Sequence, residues 1–262
     1  MNATGNGWRM LMATAAAMAI VGCGYARAEL LAYEGFSSKD YTVDSTIHGI
    51  NGGTGWSSAW SAVLPGSIGV KSPGLTWSGL PTTNYLVTCT WTTTEATRGI
   101  GGAPYGIPGQ TVWLSFLIGG MWEPGESPQQ LSLLNGTTNV LWLGTITGGD
   151  PNRPLRMGVG VGAAGTIVPS AFIKDLHLLV LRMDFTGGND SVYLWVDPSL
   201  DSEPSTAAAT MSVTNQDFQF DKLNLYVSST YASRMDEIRF ATTWKDAIGV
   251  IPPPPGTILI MK

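Results

Sequence analysis

Apolar positions in this chain recur with a period of two in short runs, and no stretch shows the 3.6-residue period of an amphipathic helix convincingly. The clearest stretch is Leu176 to Leu200, LHLLVLRMDFTGGNDSVYLWVDPSL. HLLVLRMDF is an almost continuous apolar and β-branched run, TGGND supplies glycines and self-capping turn residues, and SVYLWVD then resumes alternation. Val192, Leu194 and Val196 fall on one face, with Tyr193, Trp195 and Asp197 on the other. Pro198 ends the run, because proline has no donor for a strand ladder. The pattern predicts a β-hairpin.

The same periodicity predicts strands at Leu30–Phe36, Gly69–Ser72, Leu75–Ser78 and Asn84–Thr93. Thr111–Gly119 is apolar in both phases, which predicts burial on both faces. Leu131–Leu134, Val140–Ile146 and Leu155–Val161 read as a meander. Phe218–Ser228 and Arg234–Ala241 complete the set, the former slipping phase at Asp221-Lys222 in the manner of a bulge. Between them lie an irregular Gly-, Ser- and Trp-rich segment from Ser37 to Gly66, a glycine-proline loop from Gly99 to Gly109, and a polar, alanine-rich connection from Pro198 to Asn215. Gly158, Gly160 and Gly162 alternate in MGVGVGAAG, where missing side chains imply close approach of another chain segment. The expectation is an all-β fold of roughly a dozen strands, without a repeat at solenoid spacing.

Composition narrows this picture. The chain has 262 residues with 33 Gly, 16 Pro and 13% charged residues, a balance suited to short strands and many turns in a single domain. Residues 1–28 read as an export signal: Arg9 precedes the apolar run Met10 to Val21, and Ala26-Arg27-Ala28 offers a small-x-small cleavage site. Ile20-Val21-Gly22-Cys23 offers a competing lipobox with Cys23 as the lipidated residue. Either places the protein outside the cytoplasm, secreted or on the cell envelope, with residues 29–249 as the domain and 250–262 as a proline-rich tail. The apolar runs at both ends are too short to span a bilayer. Loss of Arg9 and Arg27 leaves 12 basic residues against 19 acidic ones, a net charge of −7 that disfavours nucleic-acid partners. Cys89 then stands alone, in YLVTCTW, at a phase that suits a small core residue.

Five stretches, LAYEGF, NGGTGWSSAW, LLVLRMDF, VYLWVDP and DEIRFATTW, resemble a group of exported bacterial proteins with a concanavalin A-like, laminin-G-like jelly-roll domain, frequent in Planctomycetes and Verrucomicrobia. The resemblance covers most of Leu30 to Ile248. It implies a two-sheet antiparallel jelly-roll sandwich with six or seven strands per sheet. It also implies a structural Ca²⁺ held by an acidic residue of the first strand and an Asp of the last, which correspond here to Glu34 and Asp236. The other reading of that pair is strand-end capping, or pairing with Arg234 or Arg239. Many relatives end in a V-P-E-P sorting tag; IPPPPGTILIMK matches only its first part and lacks the Glu and the full apolar helix.

Motifs for chemistry are sparse. A retaining glycosidase of this fold needs two close carboxylates, typically spaced E-x-D-x-x-E, and the chain lacks that pattern. A lyase would want a His, a Tyr and a Gln or Arg together, yet His48 and His177 are the sole histidines, and His177 heads a core strand. G-x-S-x-G, H-E-x-x-H and paired C-x-x-C are absent. These patterns favour a non-catalytic surface or secreted domain with a structural or adhesive role, with glycan binding beside it and a polysaccharide-active lyase or glycosidase as the alternative. For glycans, the stacking candidates are Trp56, Trp60 and Trp122, ahead of Trp142 and Tyr105. The competing role for Trp56 and Trp60 is a lid over one end of the sandwich.

Overall fold

A computed structural model of the chain describes residues 29–89, 92–119, 129–145, 154–172, 175–227 and 234–249. In chain order the strands are β1 (Leu30–Glu34), β2 (Ser61–Ala62), β3 (Ile68–Lys71), β4 (Leu86–Cys89), β5 (Thr94–Gly99), β6 (Thr111–Ile118), β7 (Gln129–Asn135) and β8 (Thr138–Gly144). They continue with β9 (Pro154–Val159), β10 (Thr166–Phe172), β11 (His177–Asp184), β12 (Asp190–Val196), β13 (Met211–Gln216), β14 (Lys222–Val227) and β15 (Arg234–Ala241), followed by the one-turn helix α1 (Trp244–Ala247). Among the described residues these strands form two sheets with antiparallel pairing. One has eight strands in the order β13-β12-β11-β6-β15-β4-β3, with β1 also paired to β15; the other has seven, β10-β9-β8-β7-β14-β5-β2. The architecture is an all-β, two-sheet jelly-roll sandwich.

Inner faces of the two sheets interdigitate, as alternating side chains in a sandwich must. Val112, Leu114, Phe116 and Ile118 of β6 and Leu179, Leu181 and Met183 of β11 meet Leu131 and Leu133 of β7 and Leu223, Leu225 and Val227 of β14. The predicted hairpin is β11–β12, registered from Leu179 opposite Val196 to Asp184 opposite Ser191. Gly187 and Gly188 turn it at φ +83° and +113°, which side-chain-bearing residues rarely adopt.

The eight-stranded sheet carries a second apolar layer on its outside. Trp113, Leu117, Leu178, Val180 and Trp195 face outward and are roofed by Leu75 and Leu80 from the β3–β4 loop and by Trp244, Ala247 and Ile248 around α1. Trp113 stacks on Trp195 at 5.7 Å and meets Trp244 edge-on at 5.5 Å. This double burial explains why β6 and β11 read as continuous apolar runs. It also explains why Leu75–Ser78 is no strand: its apolar residues sit in the roofing loop. Neither buried apolar cluster among the described residues covers the outer face of the seven-stranded sheet.

Four strands depart from the pattern-based expectation. The short β2 lies within the segment expected to be irregular. β5 falls across an expected loop boundary, β10 follows the glycine-rich turn, and β13 occupies part of the polar connection. Phase slips at Asp221-Lys222 because β14 begins there; Phe220 pairs instead with Tyr105 in an isolated bridge.

Candidate functional site

The uncovered face of the seven-stranded sheet presents three cross-strand rows of polar side chains. Strand register sets them. Lys222 of β14 stands between Gly99 of β5 and Leu134 of β7. One step along, Asn224 lies between Thr97 and Ser132, and the row continues through Trp142 of β8 to Gly158 of β9. In the third row Tyr226 lies between Glu95 and Gln130, followed by Gly144 and Arg156. Inward residues at the intervening positions, such as Leu223 and Leu225, anchor these rows to the core.

A cavity of about 300 Å³ sits over β5, β14, β7 and the β7–β8 turn, lined by the row side chains of β5, β14 and β7 together with Gly136, Thr137 and Asn139. Its side chains are held by one another. Asn224 Nδ2 donates to Glu95 Oε2 at 3.2 Å, Asn139 Nδ2 donates to Ser132 Oγ at 3.3 Å, and Lys222 Nζ donates to the Gly136 carbonyl at 2.9 Å. Gln130 Nε2 donates to the Thr145 carbonyl at 3.2 Å. Asn224 Oδ1 and Asn139 Oδ1 are buried and receive no hydrogen bond. Glu95 is the sole carboxylate among the described residues lining this cavity.

Trp142 continues the second row toward β9, with its ring buried. It is 7% exposed, donates from Nε1 to the Ala163 carbonyl at 3.1 Å, and lies against Gly158, where a Cβ would come within 2.2 Å of its Nε1. The glycine expected to permit close approach therefore admits a tryptophan ring.

Trp56 and Trp60 do other work. Their rings flank the Arg98 guanidinium at 4.5 and 5.0 Å, and Trp60 is 1% exposed, so its face is unavailable to a sugar. Arg98 donates to Glu34 Oε2 at 2.6 Å and to Asn51 Oδ1 at 2.7 Å, and binds the Gly52 and Ser58 carbonyls, pinning the irregular loop over one end of the core. Trp122 and Cys23 lie outside the described residues, as do residues 1–28 and the tail from residue 250.

Glu34 and Asp236 do not come together as a calcium pair. Glu34 is fully buried with Tyr41 and Trp60 in the inter-sheet core, and its oxygens accept from Arg98, Tyr41 Oη at 2.7 Å, Trp60 Nε1 at 3.3 Å and the Phe36 amide at 3.0 Å. Asp236 pairs with Leu117, an outer-layer residue, and accepts from the Leu75 amide at 2.9 Å and the Glu237 amide at 2.8 Å. The two carboxyls thus serve opposite faces of one sheet, an arrangement that does not fit a shared cation. Among the described residues no group of three His, Cys, Asp or Glu converges on a metal position. Burial pushes the Glu34 carboxyl up, while the Tyr41 hydrogen bond and then the Arg98 charge pull it back. Burial, then the neighbouring Glu237 charge, pushes Asp236 well above the usual carboxylate range.

A second buried pair, missed in the sequence, joins Glu237 to Arg239 at 2.6 Å. Tyr33 Oη and the Thr83 amide also donate to Glu237, and Arg239 reaches the Pro81 carbonyl, fastening the roofing loop. His177 Nδ1 sits 2.8 Å from Asp197 Oδ2 at the hairpin's end, a structural placement, and His48 Nδ1 accepts from the Ala62 amide. A second depression, of about 410 Å³, lies on the other sheet among Lys71, Leu75, Leu86, Thr88 and Arg234.

No family model matches the chain, and no curated protein matches it. Among solved structures it is similar to domain 4 of AbnA, a GH43 extracellular arabinanase from Geobacillus stearothermophilus, in complex with arabinotriose, at 12% identity over 86% of this chain and 99% of that one, with a TM-score of 0.46. It is likewise similar to the endo-1,3-beta-glucanase from Streptomyces sioyaensis at 12% identity over 83% and 97%, with a TM-score of 0.48. The metal-free carbohydrate recognition domain of Emp46p matches at 7% identity over 76% and 97%, with a TM-score of 0.43. Glycosidase and carbohydrate recognition domain structures both occur among these neighbours.

Proposed function

We propose that this chain is an extracytoplasmic, non-catalytic glycan-binding domain that takes polysaccharide on the outer face of its seven-stranded sheet. The observation that carries this reading is the cavity of about 300 Å³ on that face, lined across neighbouring strands by the neutral hydrogen-bonding residues Thr97, Gln130, Ser132, Asn139 and Asn224. Tyr226 offers a ring beside them, and the surrounding Ser, Thr and Gln side chains suit further hydroxyl contacts. The non-catalytic part rests on Glu95 standing without a second carboxylate among the described cavity residues, whereas glycoside hydrolysis uses two. The extracytoplasmic part rests on the export pattern of residues 1–28.

A glycan array of plant, algal and bacterial polysaccharides tests this directly. Retention of at least one glycan, lost in Asn224→Leu at an unchanged melting temperature, supports it. Silence across the array sinks it, and release of reducing ends from a retained glycan would replace the binding reading with an enzymatic one.

A further inference from the structure

Across the sandwich from the glycan face, the depression of about 410 Å³ on the eight-stranded sheet is large enough to hold a small molecule. Strand register defines its floor. Thr88 of β4 lies between Gly69 of β3 and Arg234 of β15, and one row along Leu86 faces Lys71. Val70, Val87 and Met235, the residues beside them in each strand, belong to the inter-sheet core. Alternation therefore turns Lys71, Thr88 and Arg234 to the outer face, where the depression lies. Its charge is one-sided. Lys71 and Arg234 line it, and among the described residues no carboxylate does, in a chain whose formal net charge is −5. Asp44 pairs with Lys71, but the two side chains are 36% and 67% exposed, so water screens the contact and the ammonium can be shared with a second anion. Arg234 is half-buried. Its carbonyl accepts from Gln129 Nε2 at 2.8 Å and from the Gly119 amide at 3.2 Å, which fixes the backbone, while its guanidinium has no acceptor among the described residues. Asp236, two residues on, is fully buried and accepts from the Leu75 and Glu237 amides instead.

We propose that this depression is a second ligand site, which takes the carboxylate or sulfate group of an acidic sugar on Arg234, with Lys71 as the second cation. A guanidinium offers five donors in a planar fork and no acceptor, the geometry that a carboxylate or sulfate meets with two oxygens at once. The volume exceeds that of a bare anion, and exposed Ser72 and Pro73 at the rim offer a hydroxyl and an apolar surface to the ring that carries the charge. The site is independent of the glycan face, whose cavity has both Lys222 and Glu95 among its lining and so no excess of positive charge.

The test titrates the full chain with galacturonate, galactose 6-sulfate, galactose and inorganic sulfate, read by ¹H–¹⁵N shifts of residues 71–75, 86–88 and 234–235. One or both acidic sugars are expected to bind about tenfold more tightly than galactose, the size of one charge-assisted hydrogen bond. A response to one acid alone identifies its group, carboxylate or sulfate, as the one held. Arg234→Gln is expected to weaken that binding about tenfold while melting with the wild type, because the side chain it replaces holds no other group. Lys71→Met should weaken it about threefold, as suits a more exposed charge. Asn224→Leu should leave it unchanged, which separates this site from the glycan face. Galactose binding as tightly as both acids, or the absence of shifts with either acid, overturns the proposal. Acid binding unchanged in Arg234→Gln overturns it too, as does unchanged binding in Lys71→Met should the first variant fail to fold. Inorganic sulfate binding as tightly as the acidic sugars overturns the sugar as ligand.

Discussion

Arg98 Nη1 lies 2.6 Å from Glu34 Oε2, and neither side chain is exposed to solvent. Lys71 and Asp44 are as close, at 2.5 Å, but their side chains are 36% and 67% exposed. Distance alone therefore does not rank these pairs; burial does. Arg98→Met strands a buried carboxylate that still faces Tyr41 and Trp60, and should lower unfolding free energy by about 3–5 kcal/mol. Lys71→Met should stay within about 1 kcal/mol, because water already screens that pair. Denaturant unfolding of both variants checks the contrast, and equal losses would refute it.

Asp236 sets a pH dependence. Burial first, and Glu237 second, hold its carboxyl well above the usual range. Folding thus favours the protonated form. Its contribution is complete below the ordinary aspartate range and is lost as pH rises from there through the raised value. Asp236→Asn keeps a neutral side chain at every pH, so its stability should fall less than the wild type's between acid and alkaline conditions. Melting curves at stepped pH read the difference, and parallel profiles would count against it.

Gly158 is the contact point between β9 and Trp142. A Cβ there meets the indole nitrogen at 2.2 Å, and the ring has Gly165 within 2.4 Å of a Cβ on another side, so it cannot simply slide away. Gly158→Ala should cost about 1–3 kcal/mol through overpacking, with a changed near-ultraviolet dichroism from the displaced indole. An unchanged spectrum and midpoint would mean that Trp142 does not lie on this strand.

Removal of calcium should leave the fold untouched at Glu34 and Asp236. Since these carboxyls occupy opposite faces of one sheet and already accept hydrogen bonds, melting with EDTA and with added Ca²⁺ should coincide. A rise of several degrees with Ca²⁺ would require a cation site built from other residues.

The chain revealed its strands more readily than its surface. Thr111–Gly119 and the β11–β12 hairpin were legible because burial on both faces leaves a continuous apolar signature. β5 was hidden: in TEATRG the inward phase holds Thr94, Ala96 and Arg98, and an arginine at a core position mimics a loop. Its partner Glu34 is distant in sequence, so the ion pair that makes Arg98 tolerable inside is a property of the folded chain alone. The candidate site was hidden for a related reason. Lys222, Asn224 and Tyr226 alternate visibly in KLNLYV, but they become a platform only through register with Glu95, Thr97, Gln130 and Ser132 on two other strands. Trp56 and Trp60, stacking candidates in an irregular segment, instead flank the Arg98 guanidinium, a partner that the segment's own sequence does not reveal.

Chemical-shift mapping reads out where glycan binds on the sandwich. In ¹H–¹⁵N spectra titrated with an oligosaccharide of the glycan retained on the array, shifts should concentrate at residues 94–99, 129–139 and 222–227. Shifts centred instead on Lys71, Leu75, Thr88 and Arg234, across the sandwich, would contradict that placement.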